Sequence, residues 1–213
     1  MRRSPNGLSG FTLIELLVVI ATIAILFGIG FPTFIAIMEK ARKTQAANEE
    51  QQIITAVNGY YTDYGRYPLA SGADFTFTGT TAGITSGSSN AALFDVLRNN
   101  INPTGPNFAT VTSSNPRAIV FIQPPFSKAG TKGGVNSTTG IWWDPFGSPY
   151  NVKIDGDYNN QLTNPYADAP GGTTLYLGVI VWSFGKNLAL GGGGAESGSA
   201  NNFNNSGDVI SWQ

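Results

Sequence analysis

The sequence contains no cysteine and no histidine, and charged residues make up only 12% of its 213 residues. Without cysteine, the chain can form neither a disulfide framework nor a thiolate metal site. Without histidine, it lacks the most frequent general base and the most frequent neutral metal ligand. The net charge is −1, and no basic stripe occurs outside a short cluster near residue 40. This charge pattern argues against nucleic acid as the main partner.

Motifs typical of enzymes are missing as well. The sequence has no G-x-S-x-G or P-loop motif at a plausible strand–helix junction. Scattered carboxylates such as Asp95 and Asp144 have ordinary turn or surface explanations. We therefore predict that the chain is not an enzyme.

A long apolar run begins at Phe11. The only charged residue between Phe11 and Met38 is Glu15. The uncharged stretch Leu16–Met38 is longer than the roughly 20 residues that a helix needs to cross a bilayer. Arg2 and Arg3 precede the run, which predicts a cytoplasmic N-terminus by the positive-inside rule.

Two ordinary explanations of this run compete. A cleaved secretory signal has an apolar region of about 7–15 residues followed by a small-residue cleavage site, whereas this run is longer and has no such exit. A plain single-pass anchor fits the composition, but Glu15 would then be a costly carboxylate without a partner. In a helical assembly, a positive group of a neighbouring subunit can supply that partner.

Residues Gly10–Ile20 read Gly-Phe-Thr-Leu-Ile-Glu-Leu-Leu-Val-Val-Ile. This run resembles, without a gap, the processing motif of type IV pilins and type II secretion pseudopilins. The resemblance implies that a prepilin peptidase cuts after Gly10 and methylates the new N-terminus at Phe11. It also implies that Glu15, the fifth residue of the processed chain, neutralises the N-terminal amine of an adjacent subunit. Opposite charges attract strongly in a low dielectric, although desolvation offsets part of the gain, so such a pair fixes the register between subunits.

Pro32 lies inside the apolar segment and removes one helical hydrogen bond, which predicts a kink. The resemblance implies more, because many pilins have proline at this place and the preceding stretch can unwind within the filament. Gly28 and Gly30 favour such unwinding.

Beyond the apolar run, an amphipathic helix is predicted to continue to about Tyr61 and to pack on a sheet. Its apolar face consists of residues at spacings of 3, 4 and 7: Ala46, Ile53, Val57, Tyr60 and Tyr64. Glycine and proline in the segment 63–68 end the helix. A surface loop is predicted at 70–90, a short helix at 91–98 and a second loop at 99–116.

Five strands are predicted from their β-branched and aromatic residues, at 118–123, 141–143, 150–154, 174–184 and 208–212. The turn residues Asp144–Pro149 separate two of these strands and predict a hairpin. The expected fold is α+β. It consists of a long N-terminal helix, with its first half transmembrane, packed against a small C-terminal antiparallel sheet.

Further stretches resemble the major, G-type pseudopilin of type II secretion. They are the helix-ending segment Tyr60–Pro68, the turn Asp144–Tyr150, the strand end Val181–Gly185 and the closing segment Asp208–Trp212. With the N-terminal motif they cover about half of the chain in patches, whereas residues 70–135 depart from the pattern. The resemblance implies a subunit of a secretion pseudopilus. A type IV pilus subunit for adhesion, motility or DNA uptake is the alternative, and the lack of a cysteine pair, common in adhesive pilins, speaks slightly against it.

Calcium is predicted only as an optional ligand. The G-type resemblance implies a site in the C-terminal loop, for which Asp208 and Glu196 are the candidate carboxylates. The match is imperfect, because Gly207 and Lys186–Asn187 stand where acids are common. A polar loop without metal is the alternative, since Ca²⁺ takes six to eight oxygen ligands.

A second candidate calcium site is the segment with Asp155 and Asp157. Its oxygen-bearing side chains alternate like the start of an EF-hand loop, but the closing glutamate of such a loop would fall on Tyr166. Here too a polar loop is the alternative.

The sequence thus predicts a leader at residues 1–10, a transmembrane assembly helix at 11–38 and a periplasmic globular domain at 39–213, with a loop-rich insertion at about 70–135. We expect the chain in the bacterial inner membrane, with its N-terminus in the cytoplasm, and afterwards in a filament. The expected partners are further copies of the chain, other pseudopilins, the prepilin peptidase, an inner-membrane assembly platform with its ATPase, and the membrane itself. No cofactor is required.

Overall fold

The structure is a computed structural model, and it divides into two compact units, Met1–Ala41 and Arg42–Gln213. The residues that it describes are 10–69, 72–79, 88–166, 168–188, 190, 202–204 and 206–212, with the side chains of 29–33 left out. Each unit is considered by itself.

The first unit consists of the beginning of helix α1, which extends over Leu13–Tyr64. The backbone is helical across Pro32, so the predicted kink does not interrupt the element, while the side chain of Pro32 lies outside the described residues. In the part of the chain that the structure describes, no helix combines the length and the apolar character that crossing a membrane requires. The transmembrane part of the predicted fold stays a prediction.

In the second unit, α1 has one buried face. Ala46, Ile53, Val57 and Tyr60 are all completely buried, so the predicted apolar face of the helix is confirmed. The helix ends three residues later than predicted, at Tyr64. Gly65 follows with φ +66°, and its N–H donates to the carbonyl of Tyr61, which is the left-handed closure that glycine permits.

Among the described residues, nine short strands, two short α-helices and one 3-10 turn, Gly185–Asn187, follow α1. The strands are β1 Phe75–Thr78, β2 Ser88–Ser89, β3 Gly134–Val135, β4 Trp142–Trp143, β5 Asn151–Ile154, β6 Leu162–Thr163, β7 Thr174–Leu175, β8 Val179–Ser183 and β9 Val209–Ile210. The helices are α2 Asn90–Leu97 and α3 Phe108–Ser114. The main sheet has the order β2-β1-β5-β8-β9, and every pairing in it is antiparallel except β1 with β2. Two small antiparallel pairs, β3 with β4 and β6 with β7, complete the described sheets.

The main sheet separates two apolar clusters because alternate residues of a strand face opposite sides. Val152, Ile154 and Val181 belong to the cluster that contains the buried face of α1. Ile180 and Trp182 belong to a second cluster, together with Leu162, Tyr166, Phe184 and Ile210. The α+β architecture with a mainly antiparallel sheet agrees with the predicted fold class.

Two strand predictions are wrong in detail. The segments 141–143 and 150–154 pair only next to the turn, where the Tyr150 N–H donates to the Trp142 carbonyl around an isolated bridge of Trp143 with Pro149. The predicted hairpin does not extend further, because β4 pairs with β3 whereas β5 pairs with β1 and β8. The predicted strand 174–184 is split into β7 and β8 by Tyr176–Gly178.

A third predicted strand, 118–123, is also wrong. This segment belongs to no strand or sheet. Ala118 has φ +53°, and the N–H of Phe121 donates to the carbonyl of Leu97 at the end of α2, so the segment packs against a helix end rather than a strand.

In the insertion at 70–135, by contrast, both predicted loops contain regular secondary structure. β1 lies in the predicted loop 70–90 and is an inner strand of the main sheet, and α3 lies in the predicted loop 99–116. The short helix predicted at 91–98 is confirmed as α2, whose N-terminal cap is the hydroxyl of Ser89. The insertion therefore contributes elements to the fold of the second unit.

Candidate functional site

The start of α1 carries the run that resembles a prepilin processing motif, and its polar groups bond to one another. The backbone N–H and the hydroxyl of Thr12 both donate to one Glu15 oxygen, at 2.8 and 2.7 Å, and the Glu15 N–H donates weakly to the Thr12 hydroxyl at 3.3 Å. This reciprocal arrangement is a capping box, in which the first residue and the third helical residue satisfy each other's backbone groups. Glu15 therefore has a partner within its own chain, which corrects the expectation that it lacks one before assembly.

Gly10 and Phe11 precede the capping box without packing against it. A Cβ added at Gly10 would meet no atom within 4 Å, and its backbone does not require glycine. Phe11 is 82% exposed. Nothing within the described chain dictates glycine at position 10, so any requirement for it comes from a partner that reads this segment.

The large apolar side chains that follow, over residues 13–27 and 34–38, are exposed. The large apolar residues with exposed side chains in α1 of the first unit are Leu13, Ile14, Leu16, Leu17, Val18, Val19, Ile20, Ile23, Ile25, Leu26, Phe27, Phe34, Ile35, Ile37 and Met38. Soluble monomers rarely expose contiguous apolar surface on this scale, so such a surface is normally covered by lipid or by other protein.

The turn Asp144–Tyr150 is organised around the carboxylate of Asp144, which is completely buried. Its Oδ1 accepts the backbone N–H groups of Phe146, Gly147 and Ser148 at 2.7–2.8 Å. Its Oδ2 accepts the hydroxyl of Ser183 at the end of β8, at 2.7 Å. Burial raises the pKa of Asp144 to about 6 in spite of these hydrogen bonds. The motif thus joins a turn to the main sheet, which is a structural role.

Of the two candidate ligands of the C-terminal loop, Asp208 lies among the described residues. Asp208 is buried, and its Oδ2 accepts the hydroxyl of Tyr166 at 2.6 Å. Burial, together with this carboxylate, raises the pKa of Tyr166, so the phenol remains a donor. Glu196 lies outside the described residues.

The second candidate calcium site includes a third candidate ligand, which the sequence did not indicate. Asp74, the residue before β1, lies beside Asp155 and Asp157, and one carboxylate oxygen from each of the three lies within 4.8 Å of the others. Asp155 is buried and accepts the backbone N–H groups of Asn159 and Asn160. Oxygen donors of this kind suit Ca²⁺, but three carboxylates supply only part of its coordination.

The environment of Asp74 is unusual for a carboxylate. Its Oδ1 is buried and accepts no hydrogen bond from the described residues. Burial raises the pKa of Asp74, Lys153 opposes the rise, and the neighbouring carboxylates of Asp157 and Asp155 add to it. No sequence pattern indicated this contact, because it depends on the pairing of β1 with β5.

Calcium binding stays a prediction, and a thermal unfolding titration tests it. At a free Ca²⁺ concentration 100 times the Kd, binding stabilises the fold by about 2.7 kcal/mol, which corresponds to a rise of about 5–10 °C in Tm for a chain of this size. If Asp157→Asn no longer shows this rise in Tm, the binding site is the three-aspartate group. If Asp208→Asn no longer shows it, the binding site is the C-terminal loop. A Tm that is the same in Ca²⁺ and in chelator contradicts calcium binding altogether.

A buried carboxylate on α1 was also missed by sequence reasoning. Glu50 is completely buried, and neither of its oxygens has a hydrogen-bond partner among the described residues. Burial raises its pKa well above the ordinary value, the carboxylates of Asp144 and Glu49 add to the rise, and the Ser183 backbone opposes it. The helical spacing could have indicated that Glu50 is buried, because it stands four residues after Ala46 and three before Ile53 on the apolar face of the helix.

Comparison with known proteins gives one informative similarity. The chain is 36% identical, over 58 residues, to the type IV major pilin protein PilA of Myxococcus xanthus (strain DK1622), a match that covers 27% of this chain and 26% of that protein. The chain thus matches about a quarter of the length of this curated relative. No protein-family model matches the chain, and no solved structure matches it significantly. The similarity supports a type IV pilin-like filament subunit and does not distinguish a pilus from a pseudopilus.

Proposed function

We propose that the chain is a structural subunit of a type II secretion pseudopilus, which a prepilin peptidase cuts after Gly10 and which polymerises through its N-terminal helix to drive protein export. The observation that carries the proposal is the exposed apolar surface of α1, which begins directly after Gly10 and the Thr12–Glu15 capping box. Such a surface becomes stable only when lipid or other helices cover it.

The same surface supports the proposed sequence of events. Before assembly the apolar segment lies in the inner membrane, with the globular unit in the periplasm. After the cut, the amine of Phe11 offers a positive group to Glu15 of the next subunit, and neighbouring helices cover the apolar surface. Extraction from the membrane needs work, which the assembly platform and its ATPase supply. The role is structural, with no catalytic step and no nucleic acid as the main partner.

The pseudopilus is preferred to the type IV pilus because of two segments in the second unit. The Asp144 turn and the terminal strand β9 both bind to β8, the turn through Ser183 and the strand through main-chain pairing. These are the segments that resemble the G-type pseudopilin, and the described bonds give both a role in the fold.

A gene deletion in the native host tests the proposed branch. Loss of secreted proteins from the medium, with motility and DNA uptake unchanged, is the expected result. Restoration of secretion by the plasmid-borne gene is the required control. Loss of motility or DNA uptake with normal secretion contradicts the pseudopilus and supports the pilus alternative.

A further inference from the structure

A partly enclosed cavity of about 130 Å³ lies in the second unit, away from the motifs discussed so far. It is lined by the end of α2, the loop 100–106, the turn 136–140 and the side chain of Phe126. A single buried water needs roughly 10–15 Å³ by a comparable measure, so the cavity holds about ten water-sized groups. One sugar ring with its hydroxyl groups is about that size.

The charges that line the cavity cancel. The Arg98 guanidinium lies 3.6 Å from Oδ1 of Asp95, and the two side chains are 13% and 5% exposed. Asp95 also accepts the side-chain N–H groups of Asn100 and Asn107, both at 2.8 Å. Because the only cation and the only anion among the lining residues neutralise each other, an anionic ligand gains little from Arg98.

An aromatic surface stands beside these polar groups. Phe126 is 60% exposed, and the Arg98 guanidinium lies 5.2 Å from the centre of its ring. The contact holds the ring in place, while more than half of the residue remains open to a ligand. An exposed aromatic face next to amide groups suits a ligand that has both an apolar face and hydroxyl groups.

The amides of the cavity are held in place by other contacts. The Asn136 side chain donates to the Gly130 carbonyl and accepts the N–H groups of Thr138 and Thr139, which fixes the turn. The Asn100 amide nitrogen donates to Asp95, and the Asn102 amide oxygen accepts from Thr104. The opposite ends of these two amides, one acceptor and one donor, have no partner among the described residues and are available to a ligand.

We propose that this cavity binds a single neutral sugar residue, with the apolar face of the ring against Phe126 and its hydroxyl groups bonded to Asn100 and Asn102. A purely apolar ligand would leave both amides unsatisfied, at a cost. A phosphate or carboxylate would have to compete with Asp95 for Arg98. The proposal is independent of the filament assignment, because the site lies wholly within the second unit.

The test is saturation-transfer NMR on the full chain in a detergent that has no sugar headgroup. The probes are the methyl glycosides of glucose, galactose and mannose, N-acetylglucosamine, and glucuronate as the anionic counterpart. At least one neutral probe is expected to bind with a Kd in the millimolar range, more tightly than glucuronate. Phe126→Ala is expected to weaken this binding about fivefold or more.

A matched variant separates loss of the site from loss of aromatic surface in general. Tyr176→Ala removes an aromatic residue that is 71% exposed and does not line the cavity, so it should bind as the unaltered chain does. Asn102→Ala, which removes the proposed donor, provides a second independent variant. Circular dichroism checks the fold of each variant.

Three results would overturn the proposal. The first is that no neutral probe shows saturation transfer. The second is that Phe126→Ala and Asn102→Ala, both folded, bind the sugar with unchanged affinity. The third is that glucuronate binds more tightly than any neutral sugar and loses this binding in Arg98→Gln, which would make the cavity an anion site.

Discussion

Glu15→Gln is expected to abolish filament assembly while leaving the start of α1 intact. Glutamine at the third helical position still completes a capping box with Thr12, so the fold of the single chain is preserved. It cannot neutralise the Phe11 amine that the proposed filament places beside it. Leaving one partner of a buried ion pair without its counterion costs about 3–5 kcal/mol, so the association constant should fall by a factor of about 100 or more. The measurement is the amount of sheared filament relative to total processed protein.

Three further variants make this result specific. Thr12→Val removes the hydroxyl donor but keeps the charge of Glu15. It should therefore cost only about 1 kcal/mol of helix stability, and the variant should still assemble. Glu15→Ala removes the carboxylate, and with it both the charge and the capping acceptor, and should fail as Glu15→Gln does. Gly10→Val should remain unprocessed and should also fail, because it never exposes the amine of Phe11. Since a side chain at position 10 meets no atom of the described chain, its failure would reflect the peptidase rather than misfolding.

Normal filament yield from Glu15→Gln would contradict the ion-pair role. If Glu15→Gln gives a normal filament yield and Thr12→Val gives none, the requirement belongs to the capping box instead. A mature product of normal size from Gly10→Val would show that the cut after Gly10 is assigned wrongly.

Glu50→Gln is expected to stabilise the second unit above neutral pH. In the folded chain, burial holds the proton on Glu50 to a higher pH than in the unfolded chain. The folded state therefore binds more protons than the unfolded state in that window, and its stability falls as the pH rises. One proton corresponds to about 1.4 kcal/mol per pH unit. Glutamine has nearly the same shape and no charge to desolvate, so the variant should lose this slope.

Asp144 also makes the folding stability fall as the pH rises, but at lower pH, because burial raises its pKa from 3.8 to about 6. The stability that its protonated form supplies is present at the lowest pH and is lost as the pH rises to about 6. The slope that persists above pH 6 is then the part to assign to Glu50. Urea unfolding between pH 5 and 9, followed by tryptophan fluorescence, measures both, because all four tryptophans lie in the second unit.

Glu49→Gln is the matched control for this experiment. Glu49 is the neighbouring carboxylate on α1, and it accepts the Tyr150 hydroxyl at 2.7 Å. Burial is the largest cause of the raised Glu50 pKa and is unchanged in this variant, so the slope above pH 6 should survive the replacement of Glu49. Equal slopes in Glu50→Gln and the unaltered chain would show that Glu50 ionises in the folded state without penalty.

The helices were predictable because their signals are local. The spacing of Ala46, Ile53, Val57 and Tyr60 identified the buried face of α1, and the glycine and proline after it identified its end to within a few residues. The strands were less predictable, because a strand of two to five residues carries little periodicity and its partner is chosen by tertiary contacts. The turn at Asp144 illustrates this, because the motif was recognised but the strand on each side of it joins a different sheet.

The candidate sites divide in the same way. The run that resembles a processing motif is continuous, so the resemblance could be recognised from the sequence, although the bonds between Thr12 and Glu15 were not foreseen. Asp74 joins Asp155 and Asp157 only because β1 pairs with β5, and the cavity beside Phe126 is lined by four separate segments. Juxtapositions across such sequence distances carry no local signal. Glu50 is the exception, since its place on the apolar face of α1 could have been read from the spacing.

The capping box also bears on how this helix could be engineered. Because Thr12 and Glu15 satisfy two backbone N–H groups at the start of the helix from within the helix itself, this cap does not depend on the sequence that precedes Gly10. The segment from Thr12 onward is therefore transplantable. Joined to the leader of a prepilin, it should begin its helix at the same residue, so under the proposed function leaders could be exchanged to choose the processing enzyme without redesigning the subunit.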